Sequence, residues 1–324
     1  MKIEMIREAA KRGEGHVRRT PLLSAPLLDE IAGRKVFVKP ECLQHTGSFK
    51  FRGAWSALSA LPEADRKRGV IAYSSGNHAQ GIARAAALHE VPSVIVMPSD
   101  APRLKLYNTR AYGAEVIEYD RETEDRDEIG KRLAEERGLT LIKPYDEPQV
   151  IAGQGTCGLE IAEDAKSLGI EEAEVLVCCG GGGLTSGIAL ALEAEAPGLR
   201  ARPVEPENFD DVTRSLASGG IERNDAMTGS ICDAILTPAP GDITFPILSR
   251  LCGPGITMSD EDCLRAMAAA FTHLKVVAEP GGAIALAAAL LSTDLAPDVP
   301  VIATISGGNV DGDLFRTALE KYAQ

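Results

Sequence analysis

From about residue 35 the chain alternates short runs of β-branched and apolar residues with longer, alanine-rich stretches at helical period. That alternation constrains the fold most, because strands joined by covering helices run parallel, and a parallel sheet needs both faces covered. Strands are expected at 36–38, 70–73, 93–97, 115–119, 140–142, 174–179 and 301–305, with helices at 80–89, 103–112, 125–137 and 184–194. Gly113 and Gly138 supply helix stops. The reading is α/β, with parallel sheets covered by helices. Successive strand and helix units between 70 and 142 suffice for a small sheet of their own. No internal repeat or Pro/Ser-rich linker sets them apart, so they read as an insertion. A chain of 324 residues usually divides into two compact units, here 1–51 with 146–324, and 52–145. The stretch 203–241, rich in Asp, Glu, Pro and Gly, has weak periodicity and the least defined elements.

Charge narrows the partners. A formal charge of -13 lacks the clustered Lys and Arg that neutralise nucleic-acid phosphates. Residues 1–19 mix charges with isolated apolar residues, unlike a signal peptide, and no run approaches the ~18 apolar residues of a membrane span. A cytoplasmic protein with no membrane partner is expected. Seven cysteines without a C-x-x-C pair suit reduced, mostly buried thiols. His45, His78, His89 and His273 show no metal-ligand spacing.

Gly180, Gly181, Gly182 and Gly183 follow the apolar run 175–179 and precede a helical stretch. Glycines there let successive N–H groups converge, and the helix N-terminus adds partial positive charge, so a phosphate dianion suits the place. Taken alone, the run is equally a tight turn with close helix packing. It lacks the Gly-Lys-Ser/Thr ending of a nucleoside-triphosphate loop and the spaced glycines of a dinucleotide fingerprint.

Lys50 lies between Phe49 and Phe51 near an expected helix start, and apolar surroundings lower a lysine's pKa and make it a useful amine. Taken alone, such a lysine is most often a surface residue. Ser74, Ser75, Gly76, Asn77 and His78 open the next expected helix, a turn suited to a carboxylate or to ordinary helix capping. Ser306 ends the run 301–305. Glu205 and Asp211, six apart across a proline bend, suit a hard cation such as Mg2+ or Ca2+, or a solvated acidic loop.

The sequence Thr46-Gly47-Ser48-Phe49-Lys50-Phe51-Arg52-Gly53-Ala54 resembles the cofactor-lysine motif of the serine/threonine dehydratase and serine racemase family. These are pyridoxal phosphate enzymes of fold type II, with a two-domain, tryptophan-synthase-β-like architecture. The segments at 74–81, 180–183 and 306–309 are similar to the family's other motifs in the same order, so the likeness spans about 18–311. It implies pyridoxal 5'-phosphate on Lys50 as a Schiff base, its phosphate on Gly180, Gly181, Gly182 and Gly183, its ring hydroxyl on Asn77 and its ring nitrogen facing Ser306. A small amino-acid substrate would place its carboxylate on Ser74, Ser75, Gly76, Asn77 and His78, with Lys50 as the Cα base.

The implied activity is β-elimination of L-threonine or L-serine to 2-oxobutyrate or pyruvate and ammonia. Alternatives are serine or aspartate racemisation, with Ser75 as the second base, and dehydration of threo-3-hydroxyaspartate. A phosphate-ligand binding protein without catalysis is the non-enzyme alternative. In the racemase branch a divalent ion (Mg2+, Ca2+ or Mn2+) sits at the positions of Glu205, the Phe209 carbonyl and Asp211. Arg132 lies near the place of an arginine that engages dicarboxylates there, yet reads better as a surface residue. The family implies a homodimer or homotetramer. One departure is Ala234, where many members have glycine beside the ring's edge; its methyl should tighten the substrate pocket. The chain stops at Gln324 without a regulatory domain, so feedback by isoleucine is not expected.

Overall fold

The computed structural model describes residues 1–324 except 75, 102, 121, 227 and 324, and except the side chain of residue 127. Its strands are β1 (Val36–Pro40), β2 (Val70–Tyr73), β3 (Ser93–Pro98), β4 (Glu115–Tyr119), β5 (Thr140–Leu141), β6 (Ala173–Cys178), β7 (Leu199–Pro206), β8 (Ile256–Met258) and β9 (Val301–Ile305). They form a five-stranded sheet of order β1-β9-β6-β7-β8 and a four-stranded sheet of order β4-β3-β2-β5. Every pairing between these strands is parallel. Helices supply the crossovers that parallel pairing demands, and the α/β expectation holds. Among the described residues no helix is long and apolar enough to cross a membrane.

Two strands of the larger sheet are not expected from the sequence. β7 contains Pro203, Pro206, Arg202 and Glu205, a composition that ordinarily demotes a run to an edge or a loop. It is nonetheless interior, pairing with β6 on one side and β8 on the other. Its charges have partners in other segments: Arg202 donates to the carbonyls of Pro254 and Asp294, and Glu205 accepts backbone N–H groups. β8, three residues long, is too short to show a period.

The helix Pro148–Ser167 escapes the sequence pattern for a related reason. Gly153, Gly155 and Gly158 weaken its local helix signal, at ~1 kcal/mol each against alanine. Tertiary approach explains them. A Cβ on Gly153 would stand 2.4 Å from the Arg52 carbonyl oxygen, and one on Gly155 would stand 2.9 Å from the Gly187 oxygen. The helix thus lies between Lys50–Ala60 and Gly183–Glu195, the two helices that begin at the amine and at the glycine loop.

A buried ion cluster fixes the first of these helices. Arg52 is about 1% exposed and grips Glu41 at 2.7 and 2.8 Å and Glu160 at 2.7 and 2.9 Å. Lys39, also buried, meets Glu160 at 2.7 Å. These bonds tie β1 and two helices together next to Lys50. All seven cysteines are free, most of them buried, as expected.

Candidate active site

Lys50 is the first residue of its helix, and the segment before it is pinned to the end of β9. The Phe49 N–H donates to the Ser306 carbonyl at 3.0 Å, and the Gly308 N–H donates to the Gly47 carbonyl at 2.9 Å. Two motifs from opposite ends of the chain are thereby held together, with Lys50 and Ser306 lining one cavity. The Lys50 amine donates to the Pro144 carbonyl at 2.9 Å. Removal from water lowers its pKa from 10.5 to about 8, so a useful fraction is neutral near physiological pH.

The glycine loop forms the cavity's other end. Gly182 has φ +86°, and a Cβ on Gly181 would lie 2.2 Å from the Tyr145 ring. Side chains are therefore excluded, and the helix Gly183–Glu195 starts without a side-chain cap, leaving its first N–H groups for a ligand. Thr185 and Thr237 line the same cavity with buried hydroxyls that have no partner. Neither is among the residues expected from the sequence. Thr185 could have been found from its place in the first helical turn after the glycines.

At the substrate loop, the helix Asn77–Leu88 also begins without a side-chain cap, and the Ser74 hydroxyl accepts the Gly76 N–H at 3.2 Å. Asn77 lines the cavity. Its amide nitrogen donates to Glu279 at 2.5 Å, and its oxygen accepts from Asn309 at 2.8 Å. His78 pairs through Nε2 with the Ile142 carbonyl at 3.0 Å. Burial, then the Lys50 charge, lowers its pKa to about 3, so it is a neutral imidazole and not a general acid. Ser75 lies outside the described residues. Ala234 lines the cavity, at the position where its methyl is expected to tighten the pocket. Arg132 is an exposed helix residue within reach of Glu136, a surface arginine as read.

Glu205 and Asp211 do not form a solvated acidic loop. Both are buried. Glu205 accepts the N–H groups of Val212 and Thr213 and the Thr213 hydroxyl, while Asp211 accepts from Asn224 and keeps one oxygen without a partner. Burial, then the Asp211 charge, pushes Glu205 up to about 8, and burial pushes Asp211 up to about 6. Among the described residues no group of three or more His, Cys, Asp or Glu side chains could hold a metal. Two buried carboxylates, one with an orphaned oxygen, are nonetheless a donor set that a hard cation with additional carbonyl and water ligands would satisfy.

A phosphate at the glycine cradle and a carbonyl at the Lys50 amine would together satisfy both ends of this cavity. The comparison with known proteins agrees. Residues 14–307 match the family described as pyridoxal-phosphate dependent enzyme, and the chain belongs to that family. It is 46% identical over 316 residues to an L-threo-3-hydroxyaspartate ammonia-lyase of a Pseudomonas species, covering 98% of this chain and 95% of the relative. It is 41% identical to the serine racemase of Schizosaccharomyces pombe, covering 98% and 95%. The crystal structure of a T.th. threonine deaminase superposes with a TM-score of 0.90 at 43% identity, covering 96% of this chain and 99% of that one. The orphaned hydroxyls of Thr185 and Thr237, together with the glycines that no side chain could replace, fit the phosphate of pyridoxal 5'-phosphate.

Proposed function

We propose that this chain is a pyridoxal-phosphate-dependent ammonia-lyase that removes the 3-hydroxyl of a small amino acid, L-threonine or L-serine, to give 2-oxobutyrate or pyruvate and ammonia. The observation that carries the reading is the Lys50 amine of lowered pKa in one cavity with Asn77, Ser306 and the glycine loop. When bound, pyridoxal phosphate supplies the electron sink for the bond broken at Cα. Lys50 would hold it and then take the Cα proton, favoured by its position and its partly neutral amine. Ser74, Gly76, Asn77 and His78 would orient the substrate carboxylate at the uncapped helix N-terminus, and Ser75 of the same sequence motif is proposed to share that role. The Ser306 hydroxyl, unlike a carboxylate, cannot place a proton firmly on the ring nitrogen, which favours prompt loss of the 3-hydroxyl. Release of 2-oxo acid from each amino acid tests the proposal, and no release from any would sink it.

A specific feature favours L-threo-3-hydroxyaspartate as a second reading. A neighbouring cavity of about 300 Å3 shares Pro144 and Tyr145 with the first and is lined by Arg126, Lys143 and Arg223 against Asp146 and Asp242. This excess of cations would favour a substrate with a second carboxylate, in keeping with what the Pseudomonas relative is named for. Higher kcat/KM on hydroxyaspartate than on threonine or serine is the outcome this reading expects. Serine or aspartate racemisation would need Ser75 to return a proton, and chiral analysis of residual substrate reports it.

Lys50 makes cofactor uptake pH-dependent. Only the neutral amine attacks an aldehyde, so uptake by the apo-protein should accelerate as pH rises and level off above about 8. Stopped-flow absorbance checks this; a rate still rising steeply toward 10 would indicate an ordinary lysine.

The buried pair Glu205 and Asp211, with the Phe209 carbonyl, would hold Mg2+, Ca2+ or Mn2+. Adding Mg2+ to chelator-treated protein should raise the melting temperature by several degrees, since a ligand that binds the folded state alone stabilises it. Glu205→Ala should abolish that rise.

The division into 1–51 with 146–324 and 52–145 is supported by the smaller sheet, whose strands all fall within the second range. A homodimer or homotetramer accords with Phe271 and Val277, exposed apolar residues at and just after the π-helical turn Ala270–Leu274. A cytoplasmic location accords with the free thiols.

A further inference from the structure

Lys105 has no role in the chemistry above, yet it is about 3% exposed and its ammonium reaches across the cleft. It sits on the helix Arg103–Ala111, which follows β3 in the smaller sheet. Its partners belong to the other side: Asp233 at 2.8 Å and Glu279 at 3.5 Å. Glu279 is fully enclosed at the N-terminus of the helix Pro280–Leu291, and its other oxygen takes the N–H of Asn77. Gly307, next to Ser306, makes this contact possible, since a Cβ there would lie 2.0 Å from the Glu279 oxygen.

The bonds around Asn77 fix which way its amide faces. Its oxygen receives the Asn309 amide, which also donates to the Thr46 carbonyl, and one of its N–H bonds goes to Glu279. One N–H is left for the cavity. An ionised Glu279 repels a flipped amide, whose oxygen would then face the carboxylate. A protonated Glu279 would hold the Asn77 N–H less firmly, since a neutral acceptor replaces a charged one.

We propose that Lys105 and Glu279 are positioning residues: Lys105 pairs with one Glu279 oxygen across the cleft, and the other Glu279 oxygen holds Asn77 with its remaining N–H directed at the bound cofactor. This deepens the function proposed above and rests on Asn77 facing the ring hydroxyl. The charged and titratable groups around Glu279 are Lys105, Asp233 on the turn Asp233–Ile235, and Cys42 on the turn after β1. Burial raises the Glu279 pKa above the ordinary carboxylate value, and the Lys105 charge opposes that rise only in part. Burial pushes Lys105 down, but Glu279 and Asp233 outweigh it, so Lys105 stays charged. Cys42 is pushed up to about 12 and does not titrate in the working range.

The test uses the cofactor-loaded protein and three variants, read by the visible band of the bound cofactor against pH and by the equilibrium affinity of the apo-protein for pyridoxal phosphate. In Lys105→Met, Glu279 should take a proton at higher pH, moving the acid-side change of the band upward by roughly 1 to 3 pH units. Affinity should weaken by ~10-fold, the worth of one hydrogen bond to a charged partner. Lys105→Arg should restore both. Glu279→Gln should weaken affinity and abolish that pH step, because no ionisable group remains at the position. A Lys105→Met protein that melts earlier but keeps the wild-type pH step and affinity would overturn the inference. A wild-type protein with no visible band would instead defeat the functional reading on which it rests.

Discussion

Lys50→Ala is expected to lower turnover by roughly 1,000- to 10,000-fold, the upper part of the range lost with a positioned general base, and to leave the protein folded but without a stable visible band. The amine lies in the cavity and bonds the Pro144 carbonyl, so its removal vacates one hydrogen bond at the edge of a cleft and not in the core. Melting temperature should therefore change little. Lys50→Arg is the sharper control: it keeps a cation there, but a guanidinium stays protonated and cannot attack an aldehyde or take a proton from Cα. It should be as inactive as the alanine variant. Substantial activity in either variant would show that another residue is the base.

The second large effect concerns stability. Arg52→Met should cost about 3–5 kcal/mol, because Glu41 and the neighbouring Glu160 would lose the cation that compensates their burial. Glu41 is wholly buried and otherwise relies on the Thr20 hydroxyl at 2.6 Å, while Glu160 keeps Lys39. The double variant Arg52→Met with Glu41→Gln should recover part of the loss, since it removes the stranded charge. Urea unfolding of the wild-type, single-variant and double-variant proteins measures both steps. A loss below ~1 kcal/mol for Arg52→Met would mean that water reaches the carboxylates, contrary to the packing described.

How much of the structure is legible in the sequence follows from how local each signal is. β2, β4 and β9 match their expected limits because they are short β-branched runs bounded by turns or helices. Lys50, the four glycines, Asn77 and Ser306 stand in distinctive local contexts, and the fold brings them to one cavity. β7 is hidden because its prolines and charges read as a loop, and the partners of Arg202, the carbonyls of Pro254 and Asp294, lie far along the chain. The helix Pro148–Ser167 is hidden because its glycines serve contacts with Arg52 and Gly187 that no local pattern announces. Glu279 and Lys105 belong to the same class: each looks like an ordinary surface charge in sequence, and only the fold buries both beside Asn77.

That Lys50 carries pyridoxal phosphate in an ammonia-lyase site is tested most directly by borohydride reduction of the purified holoprotein followed by peptide mass analysis. The expected result is loss of the visible band and a single pyridoxyl-phosphate adduct on the peptide containing Lys50. An adduct on another lysine, or no adduct on a protein loaded with the cofactor, would contradict it.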